Sequence, residues 1–124
     1  MEFHLVKNTT DSFFQSLWLL YEAAFPSDER RNLLQLKKIL RKKEYTLFAV
    51  LEEKEFVGLF STWDLGTFIF IDHFAVKEEL RGKGFGTKIL TTSFERQKQD
   101  GKEISKNEFE EIRRKLYTIV YGVT

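Results

Sequence analysis

The chain has 124 residues, of which 42% are hydrophobic and 13 are phenylalanine, with no cysteine and a formal net charge of +1. That length suits one domain spanning residues 1–124, and the phenylalanines can fill its core. Without cysteine, disulfides and thiolate metal sites are excluded, and two histidines do not make a metal site. The near-neutral charge argues against a general nucleic-acid binder. We find no apolar run long enough to span a membrane and no signal-peptide pattern, so we expect a cytoplasmic protein.

The first third of the chain predicts a strand followed by two helices. Glu2–Lys7 alternates weakly and predicts a short strand. Apolar residues at helical spacing predict a helix from Phe13 to Phe25, which Pro26 ends. A second helix begins near Leu33, with a leucine-rich face and a strongly basic opposite face. That basic face is either a solvated surface or one that attracts an anionic substrate or partner.

Three further strands are predicted in the middle of the chain. Thr46–Leu51, Phe56–Trp63 and Phe68–Val76 are rich in β-branched and aromatic residues and are separated by short polar turns. Turns this short favour an antiparallel meander. Gly58, inside the second of these strands, indicates a β-bulge or a close contact with another backbone.

A basic, glycine-rich loop follows the last of these strands. It has glycine at positions 82, 84 and 86, with Arg81, Lys83 and Lys88 beside them, and it leads into a helix predicted over Thr87–Gln97. Glycine allows positive φ and close approach of the backbone to a ligand. The first N–H groups of a helix have no internal partner, and the helix dipole makes that end positive. The segment therefore predicts a phosphate-binding site.

The spacing of the loop residues narrows the choice of ligand. A P-loop is excluded because the lysine follows the threonine in the wrong order, and the third glycine of a dinucleotide-binding fingerprint is missing. The pattern R-x-x-G-x-G, formed by Arg81, Gly84 and Gly86, resembles motif A of the GNAT superfamily of acyl-CoA-dependent N-acyltransferases. The resemblance extends back through His73–Val76, which is similar to the end of that family's fourth strand.

The resemblance implies a fold and an activity. The fold would be α+β (mixed α/β), with a central, mostly antiparallel sheet flanked by helices, the first strand at its edge and a reduced C-terminal part. The activity would be transfer of an acetyl group from acetyl-CoA to an amine of an unidentified small molecule or protein. The segment around Phe25–Pro26 and Glu29–Arg30 is similar to the part of the family that borders the acceptor.

The resemblance also implies where acetyl-CoA binds. The backbone of Phe74, Ala75 and Val76 would hold the pantetheine amides in the manner of an added strand. The diphosphate would lie on main-chain amides of the loop, with added charge from arginine and lysine. The loop residues implied are Arg81, Gly82, Lys83, Gly84, Phe85, Gly86 and Thr87.

The chemistry of acyl transfer needs a base for the amine, a donor for the oxyanion and an acid for the thiolate. Asp72 and His73 are the candidate bases, and strand alternation places them on opposite faces of the sheet. A carboxylate among phenylalanine and isoleucine would have a raised pKa, which suits a base. The alternatives are a hydrogen-bonded structural acid and a packed histidine. The family resemblance suggests Tyr117 as the acid, with Tyr121 a second candidate and simple packing the alternative for both.

The end of the chain departs from the family pattern. Only 38 residues follow Gly86, and the stretch between Gln97 and Ser105 has no convincing buried strand. Ser105 and Glu108 form a capping-box pattern that predicts a last helix, and Tyr117–Tyr121 is either a strand or its continuation. The chain could therefore be a non-catalytic, shortened CoA-binding or protein-interaction module. A four-stranded sheet with an open edge could also be completed by a second copy, as a homodimer.

Overall fold

A computed structural model describes residues 1–66 and 69–99. These residues form a four-stranded antiparallel sheet in the order β1-β2-β3-β4, with three helices, and the predicted α+β class is confirmed. The strands are β1 (Glu2–Leu5), β2 (Tyr45–Glu52), β3 (Glu55–Asp64) and β4 (Ile69–Val76). The helices are α1 (Phe14–Ala24), α2 (Leu33–Ile39) and α3 (Phe85–Gln99).

Strands β2, β3 and β4 form the predicted antiparallel meander, and β1 pairs with β2 at the edge of the sheet. The tight turn from β2 to β3 holds Glu53 and Lys54 at φ of 52° and 68°. Positive φ at both central residues is the geometry of a two-residue turn that matches the twist of the flanking strands. The turn therefore fixes the β2–β3 pairing from Tyr45 opposite Trp63 to Glu52 opposite Glu55.

Gly58 makes the close backbone contact that its place in a strand predicts. A Cβ atom built there would lie 2.5 Å from the carbonyl oxygen of Ala75 on β4. The register of β2 and β3 also shifts here, because Val50 faces Gly58 while Leu51 faces Phe56, which leaves Val57 as the extra residue of a bulge. Only glycine fits the observed spacing between β3 and β4 at this point.

The core lies between the sheet and its helices. Phe60 of β3 and Phe74 of β4 are fully buried and meet edge to face, with ring centroids 6.1 Å apart. Helix α1 adds Leu17, and α3 adds Ile89 and Leu90. Burying each such side chain contributes about 1.5–3 kcal/mol, so this cluster holds α1 and α3 against the same strands that carry the predicted site.

The segment between α1 and α2, residues 25–32, is called the α1–α2 link below. It contains Pro26 and a 3₁₀ turn at Ser27–Glu29. Its far end is fixed by a capping box, in which the Asn32 side chain accepts from the Gln35 N–H and the Gln35 side chain accepts from the Asn32 N–H, both at 2.8 Å. The capping box therefore determines where the link stops and α2 begins.

Several predicted features of the C-terminal part lie outside the described residues. They are the capping box at Ser105 and Glu108, the segment Tyr117–Tyr121 and the question of a fifth strand. Within the described residues, no helix is both long and apolar enough to cross a membrane.

Candidate functional site

A β-bulge interrupts β4 in the middle of the predicted site. Ser61 of β3 faces His73, whereas the next residue, Thr62, faces Ile71, so Asp72 is an extra residue on β4. A bulge turns the side chain of the extra residue away from its regular direction. Oδ2 of Asp72 consequently lies 3.1 Å from Nδ1 of His73. The prediction that strand alternation separates these two side chains is therefore wrong, because the bulge breaks the alternation.

Arg31 of the α1–α2 link joins this pair. Its Nη1 donates to Oδ2 of Asp72, and its Nη2 donates to Oδ1 at 3.2 Å, which makes a two-pronged ion pair. Nη1 also lies 3.4 Å from Nδ1 of His73. Arg31 and Asp72 lie 41 residues apart in the chain, so no local spacing could have predicted the contact.

The ring of His73 is packed against aromatic rings and hydrogen-bonded to the α1–α2 link. Its Nε2 lies 3.1 Å from the carbonyl oxygen of Glu29 in the link, and because a carbonyl only accepts, Nε2 is the donor. The rings of Tyr21 and Phe25 meet the imidazole edge to face, at 4.9 and 4.7 Å between centroids. The main-chain N–H of His73 donates to Oγ of Ser61 at 3.0 Å. His73 therefore ties the link to the sheet.

The pKa of Asp72 is shifted in the direction opposite to the prediction. Burial by itself would raise it, but the hydrogen bonds and charges of His73 and Arg31 outweigh burial and hold the pKa below the ordinary value of a carboxylic acid. A general base works best with a pKa near the pH of the reaction. The predicted raised pKa is therefore wrong, and Asp72 is poorly suited to take a proton from an amine.

The lowered pKa of Asp72 predicts how the stability of the folded chain depends on pH. Because the unfolded chain binds this proton more readily, the contribution of Asp72 is fully present above about pH 4 and is lost as the pH falls through the lowered pKa. We expect Asp72→Asn to be less stable than the wild type near neutral pH, with a gap that narrows below about pH 4. Urea unfolding across this range measures the gap, with Asp28→Asn in the exposed part of the link as the control. A gap that stays constant with pH would contradict the prediction.

A small, largely apolar cavity lies beside Tyr21 and Tyr45, the two tyrosines that Arg31 contacts. The Cζ of Arg31 is 5.8 Å from the centre of the Tyr45 ring, and burial raises the pKa of Tyr45 to about 12. Four leucines line the cavity together with Tyr21, Tyr45, Ser61 and His73. Its volume of about 10 Å³ is close to what a single water molecule occupies, so it is too small for a substrate.

The glycine-rich loop has the backbone conformation that its sequence predicts. After a 3₁₀ turn at Glu78–Leu80 the chain turns at Gly82 and Gly84, with φ of 79° and 85°. Side chains other than glycine rarely adopt such angles. Helix α3 begins at Phe85, two residues before the predicted start, so Gly86 and Thr87 belong to its first turn.

The main-chain N–H groups of this loop form a short unpaired run. Within residues 1–66 and 69–99, no hydrogen-bond partner is found for the N–H groups of residues 82–86. The N–H of Arg81 is bonded to Glu78, and the first bond that closes α3 runs from Lys88 to Gly84 at 3.0 Å. Residues 82–84 are exposed. The run therefore lies at the positive end of a 15-residue helix, where an anion is favoured.

The three cations near the loop differ in their contacts. Both carboxylate oxygens of Glu52 lie 3.1 Å from Nζ of Lys88, so that charge is neutralised. Nε of Arg81 donates to the carbonyl oxygen of Val76 at 3.0 Å, which ties the loop to the end of β4. Lys83 is exposed and makes no ion pair in the described part of the chain. The predicted basic patch is therefore reduced at Lys88.

At the end of β4, the main-chain groups of two residues point away from β3. The N–H groups of His73 and Lys77 both donate to β3, at 3.0 and 2.9 Å. Because main-chain groups alternate in direction along a strand, those of Phe74 and Val76 point away from β3. Phe74, Ala75 and Val76 are fully buried. The predicted pantetheine-binding residues therefore lie at the last strand of the described sheet, with main-chain groups at its edge.

The structure brings most of the predicted site residues to one strand and its following loop. Asp72 and His73 lie at the bulge, and the predicted acetyl-CoA residues follow them along β4 and the loop. Tyr117 lies outside the described residues. Among the described residues, no group of histidine and acidic side chains could hold a metal ion.

Comparisons with known proteins bear on the family and the fold of the chain. The family model described as "Acetyltransferase (GNAT) family" matches residues 10–117, which includes the segment where the sequence shows no convincing fifth strand. A solved structure assigned to a GNAT acetyltransferase of Bacteroides thetaiotaomicron is similar over 100% of both chains, with a TM-score of 0.73 and 20% identity.

A second solved structure is also similar. It is an aminoglycoside acetyltransferase from an uncultured soil metagenomic sample, in complex with trehalose. The similarity covers 93% of this chain and 86% of that one, with a TM-score of 0.62 and 19% identity. At such identities the two structures show a shared fold. No curated protein sequence matches the chain.

Proposed function

Because the chain belongs to the GNAT acetyltransferase family, we propose that it transfers the acetyl group of acetyl-CoA to an amine. The observation that carries this proposal is the run of N–H groups at residues 82–86, at the start of α3, for which the described part of the chain offers no hydrogen-bond partner. The acceptor would be a small molecule or a peptide that carries a free amine.

The diphosphate of CoA would bind to the glycine-rich loop. Gly82 and Gly84 are exposed and leave the main chain open to a ligand, since a Cβ atom at either position would meet nothing within 4 Å. Lys83 is exposed between them and supplies a positive charge. Arg81 holds the loop against Val76, so its main contribution would be to fix the position of the amides. Charge-assisted hydrogen bonds of this kind are about twice as strong as neutral ones.

The pantetheine arm would run back along β4 from the loop. The main-chain groups of Phe74 and Val76 point away from β3, as an added strand requires. Both residues are buried in the free chain, so we expect the surroundings of this edge to move when the arm binds. The arm would reach the bulge beside His73, which lies three residues before Val76 and about 10 Å away along the strand.

The acetyl thioester would therefore lie beside Asp72 and His73. In the reaction a C–N bond forms, the C–S bond breaks, the amine loses a proton and the CoA thiolate gains one. Asp72 is held ionised by Arg31, and Nε2 of His73 already donates to Glu29. We propose that these two side chains position the acceptor side of the site, and that Tyr117 supplies the proton for the thiolate.

A second candidate function is acyl-CoA binding without turnover. One observation favours it, namely that both candidate bases are already engaged by other groups of the chain. In this alternative the loop binds CoA in the same way, but no amine reaches the thioester.

One experiment separates the two candidates. Calorimetry with acetyl-CoA measures binding, and thiol release is then followed with a panel of amines that includes amino acids, polyamines, aminoglycosides and peptides with free N-termini. We expect saturable binding and thiol release with at least one class of amine. Binding without release from any class would favour the non-catalytic module. If acetyl-CoA does not bind at all, both candidates are wrong.

A further inference from the structure

We propose that Arg31 is a positioning residue that clamps the α1–α2 link onto the bulge of β4 and so shapes the acceptor side of the site. Only the statement about the acceptor rests on the proposed function. The clamp itself follows from contacts between the link, Asp72 and His73.

The link has little apolar burial of its own. Phe25 is buried where the link leaves α1, but residues 26–32 are exposed or half-exposed. A segment with few buried apolar contacts opens easily unless polar contacts hold it. The position of this segment therefore depends mainly on its hydrogen bonds and ion pairs.

Arg31 makes more of those polar contacts than any other residue of the link. Its guanidinium forms the two-pronged pair with Asp72, and its main-chain N–H donates to the hydroxyl of Tyr21 at 2.7 Å. The guanidinium also lies over the ring of Tyr45. One residue thus connects the link to β4, to α1 and to β2.

The ion pair between Arg31 and Asp72 is largely shielded from solvent, so its loss should destabilise the contact between the link and β4. The side chains of Arg31 and Asp72 are only 24% and 11% exposed. Removing the guanidinium would leave an ionised carboxylate partly buried without the partner that bonds both of its oxygens, which is unfavourable. The bulge would then relax together with the link, and the carbonyl of Glu29 would no longer be held against His73.

Arginine suits this role better than lysine. The planar guanidinium can donate to both oxygens of one carboxylate and still lie flat over an aromatic ring, whereas a lysine ammonium acts as a point charge. We therefore expect Arg31→Lys to keep part of the clamp and Arg31→Met to lose it. Arg30→Met is the matched control, because Arg30 is the neighbouring arginine and, in the described part of the chain, its one ion pair is with Glu22 of α1, across 3.6 Å.

The test measures hydrogen exchange in peptides that cover residues 25–32. In Arg31→Met we expect exchange of these amides to be at least about tenfold faster than in the wild type, with Arg31→Lys intermediate and Arg30→Met unchanged. Exchange in β2 and β3 should stay slow in all variants, which shows that the sheet remains folded. Unchanged exchange in Arg31→Met, or equal acceleration in Arg30→Met, would overturn the clamp.

Kinetics test the consequence for the acceptor. With an amine that the wild type acetylates, Arg31→Met should raise the KM for the amine by at least about tenfold, while the KM for acetyl-CoA and the shape of the pH–rate profile stay the same. A loss confined to kcat together with a lost limb of the pH profile would instead make Asp72 a base. If the wild type does not bind acetyl-CoA, the proposed function fails, whereas the exchange measurement still decides whether the clamp exists.

Discussion

Replacing Gly84 with aspartate is expected to abolish acetyl-CoA binding while the chain stays folded. The new carboxylate would lie beside the unpartnered N–H groups and repel the diphosphate that we assign to them. A Cβ atom at Gly84 meets nothing within 4 Å, so the substitution causes no clash, although φ of 85° strains any other residue by about 1–2 kcal/mol. Calorimetry should show an affinity at least about 100-fold weaker, a loss of roughly 3 kcal/mol.

Gly66→Asp is the matched control for this variant. Gly66 also has positive φ, at 91°, and a Cβ atom there also meets nothing within 4 Å, but it lies in the turn after β3. The two variants should therefore lose similar stability in urea unfolding, and only Gly84→Asp should lose affinity. Equal loss of affinity in both variants, or retained binding in Gly84→Asp, would count against the loop as the diphosphate site.

The second large effect is expected from Gly58→Ala. The added methyl group would lie 2.5 Å from the carbonyl oxygen of Ala75, so β3 and β4 must move apart. Overpacking of this kind costs about 1–3 kcal/mol. Because Ala75 lies among the residues proposed to hold the pantetheine arm, the displacement should weaken acetyl-CoA binding as well. Urea unfolding and calorimetry measure the two effects on the same sample.

The control for Gly58→Ala is Gly66→Ala, which adds the same methyl group where no neighbour is met. It should lose stability only through its positive φ and keep the affinity for acetyl-CoA. If Gly58→Ala proves as stable as the wild type and binds equally well, the spacing between β3 and β4 is not set by this glycine.

Those parts of the molecule that depend on neighbouring residues were predictable from the sequence. The meander follows from segments rich in β-branched and aromatic residues and from the short turns between them, because pairing in a hairpin is decided locally. The positive φ of Gly82 and Gly84 follows from glycine in a turn ahead of a helix. The close contact at Gly58 follows from a glycine where a strand would normally carry a side chain.

The arrangement of the site was not predictable in the same way. The bulge at Asp72 depends on how β3 and β4 align, and a single sequence carries no mark of that shift. The partner of Asp72 is Arg31, which is 41 residues away in the chain and meets Asp72 only in the folded structure. The direction of the Asp72 pKa shift depends on that partner, so the prediction from apolar neighbours alone was wrong.

The central claim is that the exposed N–H groups after β4 bind the diphosphate of CoA. NMR of the ¹⁵N-labelled 14.8 kDa chain during a titration with CoA tests it most directly. We predict that the amide signals of Gly82, Lys83 and Gly84 shift most, and that acetyl-pantetheine without the diphosphate leaves them in place. Saturable shifts elsewhere with these three amides unmoved would contradict the claim.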